Sequence, residues 1–195
     1  MTTAATKLIA LLKPKRTWFQ FSLKGLMVLV VVAAVASGLL KWQMVHKRRE
    51  RAAVAEVAKV GGLVEYDWQL TLEADSPRAA GLRALCGDDF FSSVVLIQIS
   101  TNKINDEWLA HLEPLAQLSQ VSIHSKRITD AGVQYLTKFK KITLLSIGGT
   151  GITDAGLVHL KRLRRLLYLN LASTAVTDAG VAELQEALPN CRIDR

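Results

Sequence analysis

The pentapeptide Ile-Thr-Asp-Ala-Gly occupies positions 128–132, recurs at 152–156, and returns as Val-Thr-Asp-Ala-Gly at 176–180. The spacing is constant, with Ile104, Ile128, Ile152 and Val176 each 24 residues apart. A catalytic motif is needed once. A motif recurring at a period of about 20–50 residues instead marks one structural unit stacked on the next. The positions before the pentapeptide keep the same register. Four apolar ladders precede it at fixed offsets: Val94/Ile97/Ile99, Leu118/Val121/Ile123, Ile142/Leu145/Ile147 and Leu166/Leu169/Leu171. A leucine follows eight residues after each isoleucine or valine, at Leu112, Leu136, Leu160 and Leu184.

Side chains two apart on an extended chain share a face, so each ladder predicts a short strand with two residues turned inward. Thr-Asp then predicts a helix start. Thr129, Thr153 and Thr177 are expected to cap free amide groups, and Asp130, Asp154 and Asp178 suit the positive end of the helix dipole. Pairs three apart, such as Leu157/Leu160, form the buried stripe of the helix. Gly132, Gly156 and Gly180 are expected to relieve crowding where neighbouring turns stack. The consensus L-x-x-L-x-L-x-x-[NT]-x-I-T-D-A-G-[LV]-x-x-L resembles the leucine-rich-repeat pattern, whose units usually run to about 20–29 residues. The expected fold is therefore α/β: a leucine-rich-repeat solenoid of about four 24-residue units, with short parallel strands plus helices.

Such a stack needs shielded ends. Residues 47–60 look helical and stop at Gly61-Gly62. After them Val64, Tyr66, Trp68 and Leu70 alternate with polar residues as in a strand. Ser76-Pro77 opens a second short helix that closes near Gly87. "ALPNCRI" supplies a truncated last strand with Cys191 and Ile193 inward. Cys86 and Cys191 show no metal-ligand spacing and sit among apolar neighbours, as small core residues do.

The formal charge of +8 invites a nucleic-acid role until the charge is located. Residues 1–51 hold ten Lys/Arg and one acid, leaving fifteen bases against sixteen acids in the remainder. No nucleic-acid partner is expected for the folded part. The basic segment surrounds Gly25–Leu40, sixteen residues without a charge. Lys24 and Lys41 can snorkel, and Trp18, Phe19, Phe21, Trp42, Met44 and Val45 extend the apolar character. A single-pass transmembrane helix over about residues 22–44 follows, anchoring the chain in a lipid bilayer. A rival is a signal peptide cleaved after Ala36, within Ala34-Val35-Ala36. Bases lie on both sides of the span, so the positive-inside rule leaves the side of the C-terminal part open. The domain organisation becomes a basic tail at 1–21, an anchor at 22–44, a juxtamembrane helix and N-terminal α/β cap at 45–93, repeats at 94–187, and a C-terminal cap at 188–195.

The chain resembles bacterial membrane-anchored leucine-rich-repeat proteins with tandem T-D-A-G units, of a kind abundant in planctomycete-type genomes. Phe21-Ser22-Leu23 matches their "FSL" anchor. Leu85-Cys86-Gly87-Asp88-Asp89-Phe90-Phe91 is similar to their "LGDDFF" lead-in. The repeats are also similar to the cysteine-containing subtype of F-box substrate receptors, but no F-box-like segment precedes them. The first unit departs from the pattern: it reads "INDEWLAHL", with Asn105 as the expected cap and Trp108 where the others carry glycine. The resemblance implies binding of a ligand or protein, without a known reaction.

Candidate chemistry is sparse. His111 and His159 share a repeat position two units apart, at least ~10 Å, too far for shared metal coordination. No nucleophile elbow, phosphate loop or zinc motif is present, so no enzyme activity, cofactor or metal is expected. The sheet face turned away from the core is the expected surface for an unknown protein or peptide, through Gln98, Ser122, His124, Ser146, Tyr168 and Asn170. A second feature is a basic ridge of Lys138, Lys140, Lys141 and their 24-residue equivalents Arg162, Arg164 and Arg165. It suits anionic lipid headgroups or an acidic partner. Two alternatives to a membrane-anchored binding module are a structural envelope protein self-associating through its repeats and a secreted module released by cleavage.

Overall fold

The structure is a computed structural model that describes residues 23–67 and 93–195. The chain divides into two units between Met44 and Val45. In the first unit the described residues belong to helix α1 (Leu23–Lys59), whose later residues belong to the second. The helix that sequence opens at residue 47 continues back to Leu23, because no glycine-proline break or capping residue interrupts "LKWQMVHKRRER". Its apolar stretch is exposed on every side, from Leu26 to Val45. Among the described residues this is the one helix long and apolar enough to cross a membrane.

In the second unit α1 ends where the sequence places the stop. Gly61 takes φ +78°, and the amides of Gly61 and Gly62 donate to the carbonyls of Ala58 (3.0 Å) and Val57 (2.9 Å). This pair of bonds satisfies the last carbonyls of the helix, and the left-handed turn favours glycine. Strand β1 (Leu63–Tyr66) follows and pairs antiparallel with β2 (Val94–Ser100). Five strands then run parallel: β2, β3 (Gln120–His124), β4 (Leu144–Ser146), β5 (Tyr168–Asn170) and β6 (Arg192–Asp194). Their register is 24 residues throughout, Ile97 opposite Val121, Val121 opposite Leu145, and Leu145 opposite Leu169. Between them lie a 3₁₀ helix (Glu107–Leu112) and helices α2 (Asp130–Leu136), α3 (Asp154–Leu160) and α4 (Asp178–Ala187). The result is a mixed α/β fold with one sheet backed by a row of helices.

The inward ladders, the recurring Ile/Val and the leucine eight residues on are all buried and form one core. Each such aliphatic side chain contributes ~1.5–3 kcal/mol by leaving water. Leu145, fully buried in the central layer, is a position where truncation to alanine costs ~2–5 kcal/mol. The first layer differs from the others in its helix, which is 3₁₀ and ends just before Pro114. Proline cannot continue a helical ladder and restricts the residue before it. The residue 45–59 part of α1 closes this end of the core through Ala53 and Val57. Buried Glu50 secures it by accepting from the Val94 amide at 3.0 Å and from Lys47 Nζ at 2.7 Å. At the other end Cys191 is buried, which pushes its thiol pKa up. Cys86, Trp68, Leu70, the expected second cap helix and the "LGDDFF" lead-in lie outside the described residues.

The Thr-Asp-Ala-Gly motif does more than start helices. Thr153 and Thr177 cap as expected, accepting from Ala155 N (3.3 Å) and Gly180 N (3.1 Å), whereas Thr129 makes no side-chain cap bond. In the first layer the N-cap position falls on Asp106, which makes no side-chain cap bond, and the expected cap Asn105, one residue earlier, accepts from Trp108 N at 3.1 Å. Asp130, Asp154 and Asp178 stand in the first turn of their helices as expected, and the aspartates also reach forward into the next layer. Asp106 accepts from Thr129 through its amide (2.8 Å) and hydroxyl (2.6 Å). Asp130 does the same with Thr153 (2.8 and 2.7 Å), and Asp154 with Thr177 (2.8 and 2.7 Å). Each carboxylate therefore supplies the partner for an otherwise orphan helix-start amide of its neighbour. The glycine makes room for it. A Cβ on Gly132, Gly156 or Gly180 would clash with the Oδ1 of Asp106, Asp130 or Asp154, closer than the 3.0 Å that such atoms tolerate. Trp108 meets no such demand in the first layer, since the residue 24 before Asp106 is Leu82, which carries no carboxylate. The last aspartate, Asp178, pairs with Arg195 in place of a following threonine.

Candidate functional site

Alternation along the parallel strands leaves one sheet face free of core packing. The register gathers its residues into rows. Gln98, Ser122, Ser146 and Asn170 stand side by side, with Asp194 of β6 completing the row. Leu96, Gln120, Leu144, Tyr168 and Arg192 form the row beside it. His124 sits further along β3, its Nε2 3.5 Å from Ser146 Oγ. All six expected face residues are thus brought together on one surface. Strand β1 widens it, since Leu63 pairs with Gln98 and Glu65 with Leu96. Neither was among the expected face residues, and in β1 Leu63 and Glu65 are exposed while Val64 and Tyr66 are half-buried.

The middle of the face holds a depression of about 160 Å³ lined by Leu96, Gln98, Gln120, Ser122, Leu144, Ser146 and Tyr168. Its aliphatic floor comes from Leu96 and Leu144, and its polar rim from amides and hydroxyls. No charged side chain lines it, so charge cannot select an occupant there. The volume is below the ~300–1,000 Å³ of small-molecule sites and suits a side chain. Two face residues are partly committed. Tyr168 Oη donates to Asp194 Oδ2 at 2.9 Å, and Asn170 Oδ1 accepts from the Ala172 amide at 2.9 Å. The Asp194 carboxylate raises the Tyr168 phenol pKa, while hydrogen bonds from Tyr168 and Arg192 hold Asp194 below the usual carboxylate range. Tyr168 therefore presents a fixed ring to the depression, with its hydroxyl anchored on the last strand.

A larger cleft of about 480 Å³ lies within the second unit, between the residue 46–56 stretch of α1 and the end of the 3₁₀ helix. Ala52, Ala53, Ala110 and Pro114 line it together with His46, Arg49, Glu56, His111 and Glu113. Glu56 is held below the usual carboxylate range chiefly by its hydrogen bond from Lys59, with further attraction from Lys59 and His111. No sequence pattern announces this cleft, because its walls come from segments more than fifty residues apart. Among the described residues no three His, Cys, Asp or Glu side chains converge as a metal-ligand group. His111 lies on the 3₁₀ helix against Trp108, and His159 on α3, two layers away.

The six ridge bases fall in the two turns that lead from α2 to β4 and from α3 to β5, and all are exposed. The first tier is partly satisfied. Lys138 pairs with Glu113 at 3.2 Å and lies over the Tyr135 ring, Lys140 Nζ donates to the Thr137 carbonyl, and Lys141 donates to Gln117. The side chains of Arg162, Arg164 and Arg165 have no hydrogen-bond or ion-pair partner among the described residues.

No protein-family model matches the chain. No curated protein sequence matches it either. Among solved structures it is similar to a leucine-rich-repeat protein of Leptospira interrogans, with 18% sequence identity and a TM-score of 0.35. That likeness covers 50% of this chain and 29% of the Leptospira protein, so the present chain spans less than a third of its length.

Proposed function

We propose that the chain is a membrane-anchored leucine-rich-repeat solenoid of four 24-residue units that binds a protein or peptide on its open sheet face and catalyses no reaction. The observation that carries this reading is the open face of five parallel strands with an uncharged, side-chain-sized depression at its centre. A segment docking there would place an apolar residue over Leu96 and Leu144 and use the amides and hydroxyls of Gln98, Ser122, Ser146 and Asn170 for its backbone. Anchoring rests on the apolar, all-round exposed stretch of α1 between Gly25 and Val45.

Purification of the full chain from detergent-solubilised membranes, followed by identification of co-purifying proteins, tests the binding reading. Tyr168→Ala and Asn170→Ala should deplete the same partner while leaving the circular dichroism spectrum unchanged. A partner set indifferent to both substitutions would refute the face assignment. Mass spectrometry of the mature protein tests the anchor separately. Peptides covering the apolar stretch before Ala36 are expected, and a mature species beginning at Ser37 would replace the anchor by a cleaved signal.

A further inference from the structure

We infer that the basic ridge is a second docking surface, for an acidic segment of a protein partner, separate from the sheet face. Its scaffold is rigid. Phe139 and Leu163, 24 residues apart in the two turns, are both buried, and their neighbours Lys138, Lys140, Arg162 and Arg164 project from that anchored backbone. Both turns are closed by backbone bonds, Phe139 N to Leu136 O at 3.1 Å and Leu163 N to Leu160 O at 2.9 Å. The two tiers belong to neighbouring layers whose strands run ~4.8 Å apart.

The charge is neutralised from within only in part. Lys138 pairs with Glu113 and Lys161 with Glu183, while Lys140 and Lys141 donate to the Thr137 carbonyl and to Gln117. The side chains of the three arginines of the second tier have no such partner among the described residues. The ridge is also bounded, because the equivalent positions in the layers before and after carry Pro114, Ala116 and Gln117, then Glu186, Leu188 and Pro189. Guanidinium groups offer a planar fork that binds carboxylate or phosphate with two parallel hydrogen bonds and are weakly hydrated. The two-layer extent of the ridge and the apolar residue at its edge match a protein segment rather than an extended headgroup surface. The second tier also carries an apolar contact in Leu167, 57% exposed two residues after Arg165. Arginine beside exposed apolar side chains is the composition of protein interfaces.

The test uses the full chain in uncharged detergent micelles and a fluorescein-labelled octaglutamate peptide, read by anisotropy at rising salt. Wild type should bind the peptide with an affinity that falls as salt rises. Reversing the second tier (R162E/R164E/R165E) should weaken binding about tenfold, as three exposed ion pairs turned repulsive would. Reversing bases on the opposite strand ends (K103E/K126E/R127E) should change it less than about twofold. An unchanged circular dichroism spectrum confirms that both variants fold. Equal weakening by the two reversals would overturn the proposal. So would a second-tier reversal that spares peptide binding but abolishes attraction to phosphatidylglycerol vesicles or to duplex DNA. Tyr168→Ala leaves the ridge intact, so loss of the sheet-face partner and loss of octaglutamate binding are separable outcomes.

Discussion

Replacing Gly156 by alanine isolates the bond between layers. The new Cβ would clash with Asp130 Oδ1 and stand 3.0 Å from a methyl of Ile152. Either Asp130 withdraws, giving up its bonds to the Thr153 amide (2.8 Å) and hydroxyl (2.7 Å), or the helix shifts outward. Overpacking of this kind costs ~1–3 kcal/mol. Alanine in place of helical glycine returns ~0.5–1 kcal/mol. The single substitution should therefore destabilise by ~1–2 kcal/mol. In an Asp130→Ala background the carboxylate clash is gone and the Ile152 methyl at 3.0 Å becomes the nearest contact, so Gly156→Ala should become neutral or stabilise by up to ~1 kcal/mol. The coupling between the two positions is then on the order of 2 kcal/mol. Urea denaturation of the full chain in mild detergent, followed by far-ultraviolet circular dichroism, reads all four proteins of the cycle, and midpoints are comparable while the slope stays constant. An equal cost of Gly156→Ala with and without Asp130 would refute the pairing of carboxylate and glycine.

Three further outcomes follow from named groups. Asp154 has its pKa lowered by hydrogen bonds from the Thr177 hydroxyl and amide. Its contribution is present above the unfolded carboxylate value and lost as pH falls through the lower folded one, so Asp154→Asn should flatten the acid limb of a stability-versus-pH curve measured by thermal melting. Tyr168 has its pKa raised by Asp194. That contribution is present below the unfolded phenol value and lost as pH rises through the higher folded one. Asp194→Asn should bring one tyrosine's ultraviolet titration to lower pH. Gly61 stands at φ +78°, where a Cβ would meet nothing within 4 Å, so Gly61→Ala should cost ~1–2 kcal/mol from backbone conformation alone, read as a lower urea midpoint.

The layers were legible because their physics is periodic. Period-2 ladders 24 residues apart specify strands, register and core together, and Ile97, Val121, Leu145 and Leu169 align as the spacing requires. The carboxylate link between layers was hidden because Asp130 acts on Thr153 and Gly156, outside the five residues that contain it. A signal was nevertheless present. The first unit keeps Asp106 while replacing threonine and glycine by Asn105 and Trp108, as a layer that gives a carboxylate but receives none would. The open face was legible by alternation, including Tyr168, but the bond tying its hydroxyl to Asp194 depends on where the last short strand ends. The cleft lined by His46 and His111 had no signature, since it forms only when α1 meets the 3₁₀ helix.

The sheet face as the recognition surface is tested most directly by photo-crosslinking in cells. A benzophenone side chain is placed at Gln98 or Ser146 on the face, or at Gln134 on the exposed side of α2. The face positions should give a discrete adduct with one partner protein, and Gln134 should not. Adducts from Gln134 alone, or the same adduct from all three positions, would contradict recognition by the sheet face.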